Sequence, residues 1–88
     1  MGWKSRYLTL VENAKISTYD RPFLSMVSNE EIRIENHTGI IEYSSDIMMI
    51  KTMNFVVKIS GCDLCIESIT REDINIIGNI TNVDFVKV

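Results

Sequence analysis

From Ile32 onward the chain alternates between apolar and polar positions. Ile32 and Ile34 flank Arg33, with Glu31 and Glu35 outside them. Side chains on a strand have period two, so the isoleucines share one face and the charges the other. Asn36-His37-Thr38-Gly39 then reads as a polar turn, because Asn and Gly tolerate positive φ. Ile41 and Tyr43 form the next inward pair, so Ile32 to Ser44 reads as strand, turn and strand, a hairpin. Ser44-Ser45-Asp46 turns again, and Ile47 to Thr52, Phe55 to Ser60, Leu64 to Ser68, Ile74 to Gly78 and Ile80 to Val86 continue the rhythm. Upstream, Phe23 to Val27 reads as a first strand and Ser28-Asn29 as a turn. Strands recurring at intervals of roughly 8 to 12 residues predict an all-β domain. About seven strands are expected, mainly as an antiparallel meander forming a small sandwich or an open roll.

Before Pro22 the period changes. Trp3, Tyr7, Leu10 or Val11, and Ala14 recur three and four positions apart, while Lys4, Arg6, Glu12 and Lys15 fall mostly elsewhere. That spacing predicts a short amphipathic helix, which needs an apolar surface to be stable. Packing on the sheet satisfies it, as does docking on a membrane or partner through Trp3, Lys4, Arg6 and Tyr7. Asp20-Arg21-Pro22 is the boundary, since proline pushes the residue before it out of helical geometry. The expected division is a helical segment over residues 1–20 and a β domain over residues 21–88.

One strand breaks the alternation. Ile47-Met48-Met49-Ile50 is apolar on both faces, which fits a core strand or one whose second face meets another subunit. Met48 and Met49 are therefore candidate contact residues, flexible methionine side chains being suited to adaptable surfaces. Gly39, Gly61 and Gly78 fall between the expected strands and hint at a solenoid, but their spacings of 22 and 17 residues are unequal. A true repeat is not supported.

Eighty-eight residues make one small domain, which buries only about 60% of its extended surface and leaves room for a partner to complete the core. A hydrophobic content of 45% and a mean hydropathy of +0.07 suit globular folding. The longest apolar run, Ile47 to Ile50, is far short of the roughly 18 residues of a membrane span. Charges scattered from Lys4 to Arg21 leave no signal-peptide core, so a cytoplasmic location is expected. Without export, the acceptor patterns Asn36-His37-Thr38 and Asn79-Ile80-Thr81 read simply as turns. The net charge of −3 divides unevenly: +2 up to Ser28 and −5 from Asn29 onward. An acidic body is poorly suited to phosphate backbones, which need clustered Lys and Arg, so nucleic acid is not an expected partner.

Candidate chemistry is sparse. Cys62-Asp63-Leu64-Cys65 matches C-x-x-C, but a structural zinc site wants four ligands and only His37 is left to help. On a strand the two cysteines, three positions apart, would point to opposite faces, one buried as a small apolar residue and one incidental. His37 is the only histidine, and its Asn, Thr and Gly neighbours supply a turn rather than a nucleophile and an orienting group. Glu30, Glu31, Glu35, Glu42, Glu72 and Asp73 read as strand ends or solvent faces, and the four glycines never cluster into a phosphate loop. No enzymatic activity, cofactor or metal is expected. The alternative to an assembly role is a small-ligand or metal-binding regulatory domain using Cys62, Cys65 and His37.

Ile34-Glu35-Asn36-His37-Thr38-Gly39-Ile40-Ile41-Glu42-Tyr43-Ser44 resembles the shared phrase of the YabP/YqfC family of small bacterial sporulation proteins, with Glu35, Asn36, His37 and Gly39 as its turn motif. Ile47 to Thr52, Val57 to Gly61 with Leu64 to Ile66, and Ile74 to Ile80 are similar to the family's later segments, and the basic, Trp-containing start is closer to the YqfC branch. The cysteines lie outside the shared pattern. The resemblance implies a protein of endospore formation, acting in the mother cell in assembly of the spore cortex and coat, and implies no reaction. The expected role is a non-enzymatic adaptor in the cytoplasm, peripheral at the forespore outer membrane. The expected partner is another sporulation protein, a membrane protein at the forespore envelope, and self-association is left open.

Overall fold

The computed structural model describes residues 21–87, and the amphipathic segment read over residues 1–20 lies outside them. Six strands follow in order: β1 (Phe23–Val27), β2 (Glu31–Glu35), β3 (His37–Tyr43), β4 (Ile47–Thr52), β5 (Phe55–Ile69) and β6 (Asp73–Lys87). They form one antiparallel sheet in the order β1-β2-β6-β5-β4-β3.

This order cannot lie flat. β2 ends at Glu35 and β3 begins at His37, with Asn36 alone between them, although β6, β5 and β4 separate the two strands in the sheet. Four strand spacings in a flat sheet would hold them about 19 Å apart. Two peptide units span at most about 7 Å. The sheet is therefore folded over on itself.

The fold runs through the two long strands. The first part of β5 pairs with β4, from Lys51 opposite Val56 to Ile47 opposite Ser60, and its later residues do not. The first part of β6 pairs with β2, Ile34 opposite Ile74 and Ile32 opposite Ile76, and its later residues pair with β5 alone. Between these halves the β5–β6 register shifts after Ser60 and again between Cys62 and Cys65, where Asp63 takes a φ of 54°. Such irregularities bend a strand and increase its twist. One layer thus contains β1, β2 and the halves of β6 and β5 near their shared turn. The other contains β3, β4 and the remaining halves.

The core lies between the layers. Ile32, Ile34, Ile74 and Ile76 from the first meet Met48, Ile50, Val57 and Ile59 from the second, with Leu64 and Ile80 at the bends. β2 and β4 share no hydrogen bonds yet contribute to one core, as two facing layers require. Each corner is also held by a turn from elsewhere in the chain. The β3–β4 turn accepts from β5, Gly61 N–H to the Asp46 carbonyl and Leu64 N–H to that of Ser45, both at 2.9 Å. The β1–β2 turn accepts from β6, Gly78 N–H to Glu30 at 3.1 Å and Ile80 N–H to Asn29 at 2.8 Å. At the third corner His37 N–H donates to the Glu72 carbonyl in the β5–β6 turn at 3.0 Å. Backbone groups freed by bending are thereby satisfied.

Gly61 and Gly78 are required where the bent strands touch. A Cβ on Gly61 would overlap the Asn79 carbonyl, and one on Gly78 would lie 2.7 Å from the Asp63 carbonyl oxygen and 2.9 Å from Leu64 Cα. Gly78 also has a φ of 143°, a region side-chain-bearing residues avoid.

The all-β sandwich agrees with the alternation, but three local expectations change. Phe55 to Ser60 and Leu64 to Ser68 are halves of β5, as Ile74 to Gly78 and Ile80 to Val86 are of β6, so the eight segments read from the alternation make six strands. Glycine marked bends here, where the backbone must approach closely, and not turns. Asn79-Ile80-Thr81 accordingly lies inside β6. Nor is Ile32 to Ser44 a hairpin: β2 pairs with β1 and β6, and β3 with β4. Asn36, at a φ of 65°, is a one-residue corner, and His37 and Gly39 belong to β3. β3 to β6 do form a meander, onto which the β1–β2 hairpin is added beside β6.

Candidate functional site

The methionine pair is split by the pleat of β4. Met48 is 0% exposed within the core, whereas Met49 is half-buried on the outer face, opposite Glu42 of β3 and Lys58 of β5. Met48 is therefore closed to a partner, which corrects its reading as a contact residue. Met49 keeps a surface. Trp3, Lys4, Arg6 and Tyr7 lie outside the described residues.

The cysteines also differ from expectation, because both are exposed free thiols and the buried residue of that stretch is Leu64. The bulge with Asp63 at its centre breaks the simple alternation that would have buried one of them. His37 sits at the other end of this part of the fold, its Nε2 3.2 Å from the Thr70 carbonyl oxygen. An extended run from Cys65 to Thr70 covers about 16 Å, so β5 itself separates the imidazole from the thiols. Among the described residues no group of three or more His, Cys, Asp or Glu side chains is placed to hold a metal ion.

A polar cluster that the alternation did not reveal covers the outer face of the first layer. Asn75 is 7% exposed, and its Nδ2 donates to Glu31 Oε2 at 2.9 Å and Glu67 Oε1 at 2.5 Å. Beside it Arg33 pairs with Asp73 at 3.1 Å and with Glu35 at 3.5 Å. Four carboxylates thus share one guanidinium and one amide. Only the β2–β6 register brings Glu31, Arg33 and Asn75 together, and an Asn between two isoleucines was the sole hint in the chain. Asn75→Asp would set a third carboxylate against Glu31 and Glu67 and remove their shared donor. A loss of about 2 kcal/mol is expected at pH 7. Like-charge repulsion raises the folded-state pKa of the introduced group, so folding takes up protons and stability should recover as pH falls from 7 toward 4. Urea unfolding of the variant across that range checks both the size and the sign.

Apolar side chains reach solvent along β3, where Ile40, Ile41 and Tyr43 are 37%, 54% and 59% exposed. Ile40 and Tyr43 stand opposite Ile50 and Met48, so they extend the core-facing rows past the cover of the first layer. Phe85 does the same on β6, opposite Val57 and edge-on to Phe55 with ring centroids 5.1 Å apart. These side chains leave apolar area exposed, and none of them is a nucleophile with a base beside it.

A model of the YabP family matches residues 20–88, the whole of the folded-over sheet. The chain belongs to the YabP family. Membership makes it a sporulation-related protein. The YabP/YqfC phrase Ile34 to Ser44 runs around the Asn36 corner and along β3, so it encodes the passage from one layer to the other. No curated protein and no solved structure matches the chain. Among the described residues no helix is long and apolar enough to cross a membrane.

Proposed function

We propose that this YabP-family chain is a non-enzymatic assembly module of spore-envelope formation, serving cortex and coat by binding another sporulation protein. The observation that carries the reading is the exposed apolar row of β3, Ile40, Ile41 and Tyr43, on an edge strand of the sheet. A solvent-facing extension of a core is the kind of surface a partner covers. Family membership supplies the process.

The partner in this reading is a membrane protein at the forespore envelope, approached from the mother-cell cytoplasm. Trp3, Lys4, Arg6 and Tyr7 add a basic, aromatic contact to the forespore outer membrane. Each basic residue near an anionic surface contributes about 1 kcal/mol. Reversing Lys4 and Arg6 to Glu should therefore shift a fluorescent fusion from the forespore rim into the mother-cell cytoplasm, and unchanged localisation would remove the N-terminal segment from the account. Crosslinking and mass spectrometry in sporulating cells test the main reading. The expected result is a sporulation protein crosslinked beside β3. A chain that captures no protein, or that acts on peptidoglycan when purified, would overturn it.

A further inference from the structure

On an unbroken strand Cys62 and Cys65 would face opposite ways, and the bulge between them cancels that alternation. Cys62 stands opposite Asn79, and Cys65 opposite Ile77. Paired residues in an antiparallel ladder share a face. Residues two apart along β6 share one as well, so Asn79 and Ile77 bring both thiols to the outer side of the sheet. The burial agrees, since both cysteines are exposed while Leu64 between them is turned into the core. The bulge is also held in place. Leu64 N–H donates to the Ser45 carbonyl and Gly61 N–H to that of Asp46. Gly78, with no side chain, lets Asp63 and Leu64 lie against β6.

We propose that Cys62 and Cys65 form a two-thiolate site for a soft, two-coordinate cation of the copper(I) class. The spacing decides against the simpler outcome, a disulfide. Two residues along a strand advance by about 6.7 Å, and the cysteines, one beside each end of that step on β6, take about the same separation. A disulfide wants Cβ atoms about 3.8 Å apart around a bond of about 2.0 Å. A cation held between two sulfurs at about 2.3 Å from each parts them by about 4.6 Å. That wider span carries the Cβ atoms to roughly 6.4 Å apart, close to the strand step. Zinc wants four ligands, and among the described residues no third His, Cys, Asp or Glu joins the pair. Of the metals that thiolates select, copper(I) is the one that two opposed sulfurs satisfy. Binding releases one proton from each thiol, that of Cys65 now directed at the Ile66 carbonyl oxygen 3.6 Å from its Sγ. The site stands independently of whether another protein is bound at β3.

Anaerobic titration of the reduced full chain with copper(I), in competition with a chromophoric copper(I) chelator, tests this. One copper withdrawn from the chelator per chain is the expected result. Cys62→Ser and Cys65→Ser should each lose it, and both positions are exposed, so the fold tolerates the changes. Cys65→Ser combined with Ser68→Cys keeps two thiols but sets them opposite Asn79 and Asn75, about 13 Å apart, and should also fail to bind. No copper withdrawn, one copper shared by two chains, or undiminished binding by Cys62→Ser, Cys65→Ser or the displaced pair would overturn the proposal.

Discussion

Gly61→Ala is expected to destabilise the fold by about 4 kcal/mol. The added methyl would overlap the Asn79 carbonyl, with Ile80 Cα 3.1 Å away, and both are backbone atoms that no rotamer change can clear. Relief requires the two bends to separate, which would pull Gly61 N–H and Leu64 N–H from the β3–β4 turn. Overpacking in a dense interior typically costs 1 to 3 kcal/mol, and lost hydrogen bonds add to it. A total of about 4 kcal/mol would consume much of the stability of a domain this size, on the order of 4 to 13 kcal/mol. Urea unfolding and amide proton dispersion measure the loss. A wild-type midpoint would show that the bends do not touch as described.

The second large effect separates two neighbours. Met48→Lys puts an ammonium among Ile32, Ile34, Ile50 and Ile59, where no carboxylate belongs to the core cluster. Isolated buried charge is costly enough that the variant should lose at least about 4 kcal/mol or fail to fold. Met49→Lys, one residue along, points outward beside Glu42 and Lys58 and should change stability by no more than about 1 kcal/mol. If the surface around Met49 meets the partner, the same substitution should weaken capture while leaving the fold intact. Equal losses for the two variants would contradict the outward placement of Met49.

The alternation of Ile32, Ile34, Ile74 and Ile76 with polar neighbours was enough to read an all-β domain and most of its core. Alternation reports which face a residue occupies, and it says nothing of whether a polar interruption is a turn or a bend. At Asn36, Gly61 and Gly78 the same residue types serve both uses, and the difference lies in which distant turn supplies the hydrogen bonds. Alternation alone therefore divides two long strands into four and makes a hairpin of a corner. Met48 and Met49 were ambiguous for a related reason, since an apolar pair does not reveal which member faces inward until the register is fixed by Ile59 and Lys58. Asn75 was invisible because its partners lie 44 and 8 residues away. The family phrase was legible, although its physical meaning changed from a loop to the passage between layers.

β2 and β3 are successive pieces of one path turning a corner, held on opposite sides of a shared core. Nuclear Overhauser contacts across the ladders test it directly. Cross-strand contacts are expected between Ile32 and Ile76 and between Ile40 and Ile50, with none pairing β2 to β3. A ladder of contacts between Ile32–Glu35 and Ile40–Tyr43 would restore the hairpin and contradict the folded-over sheet.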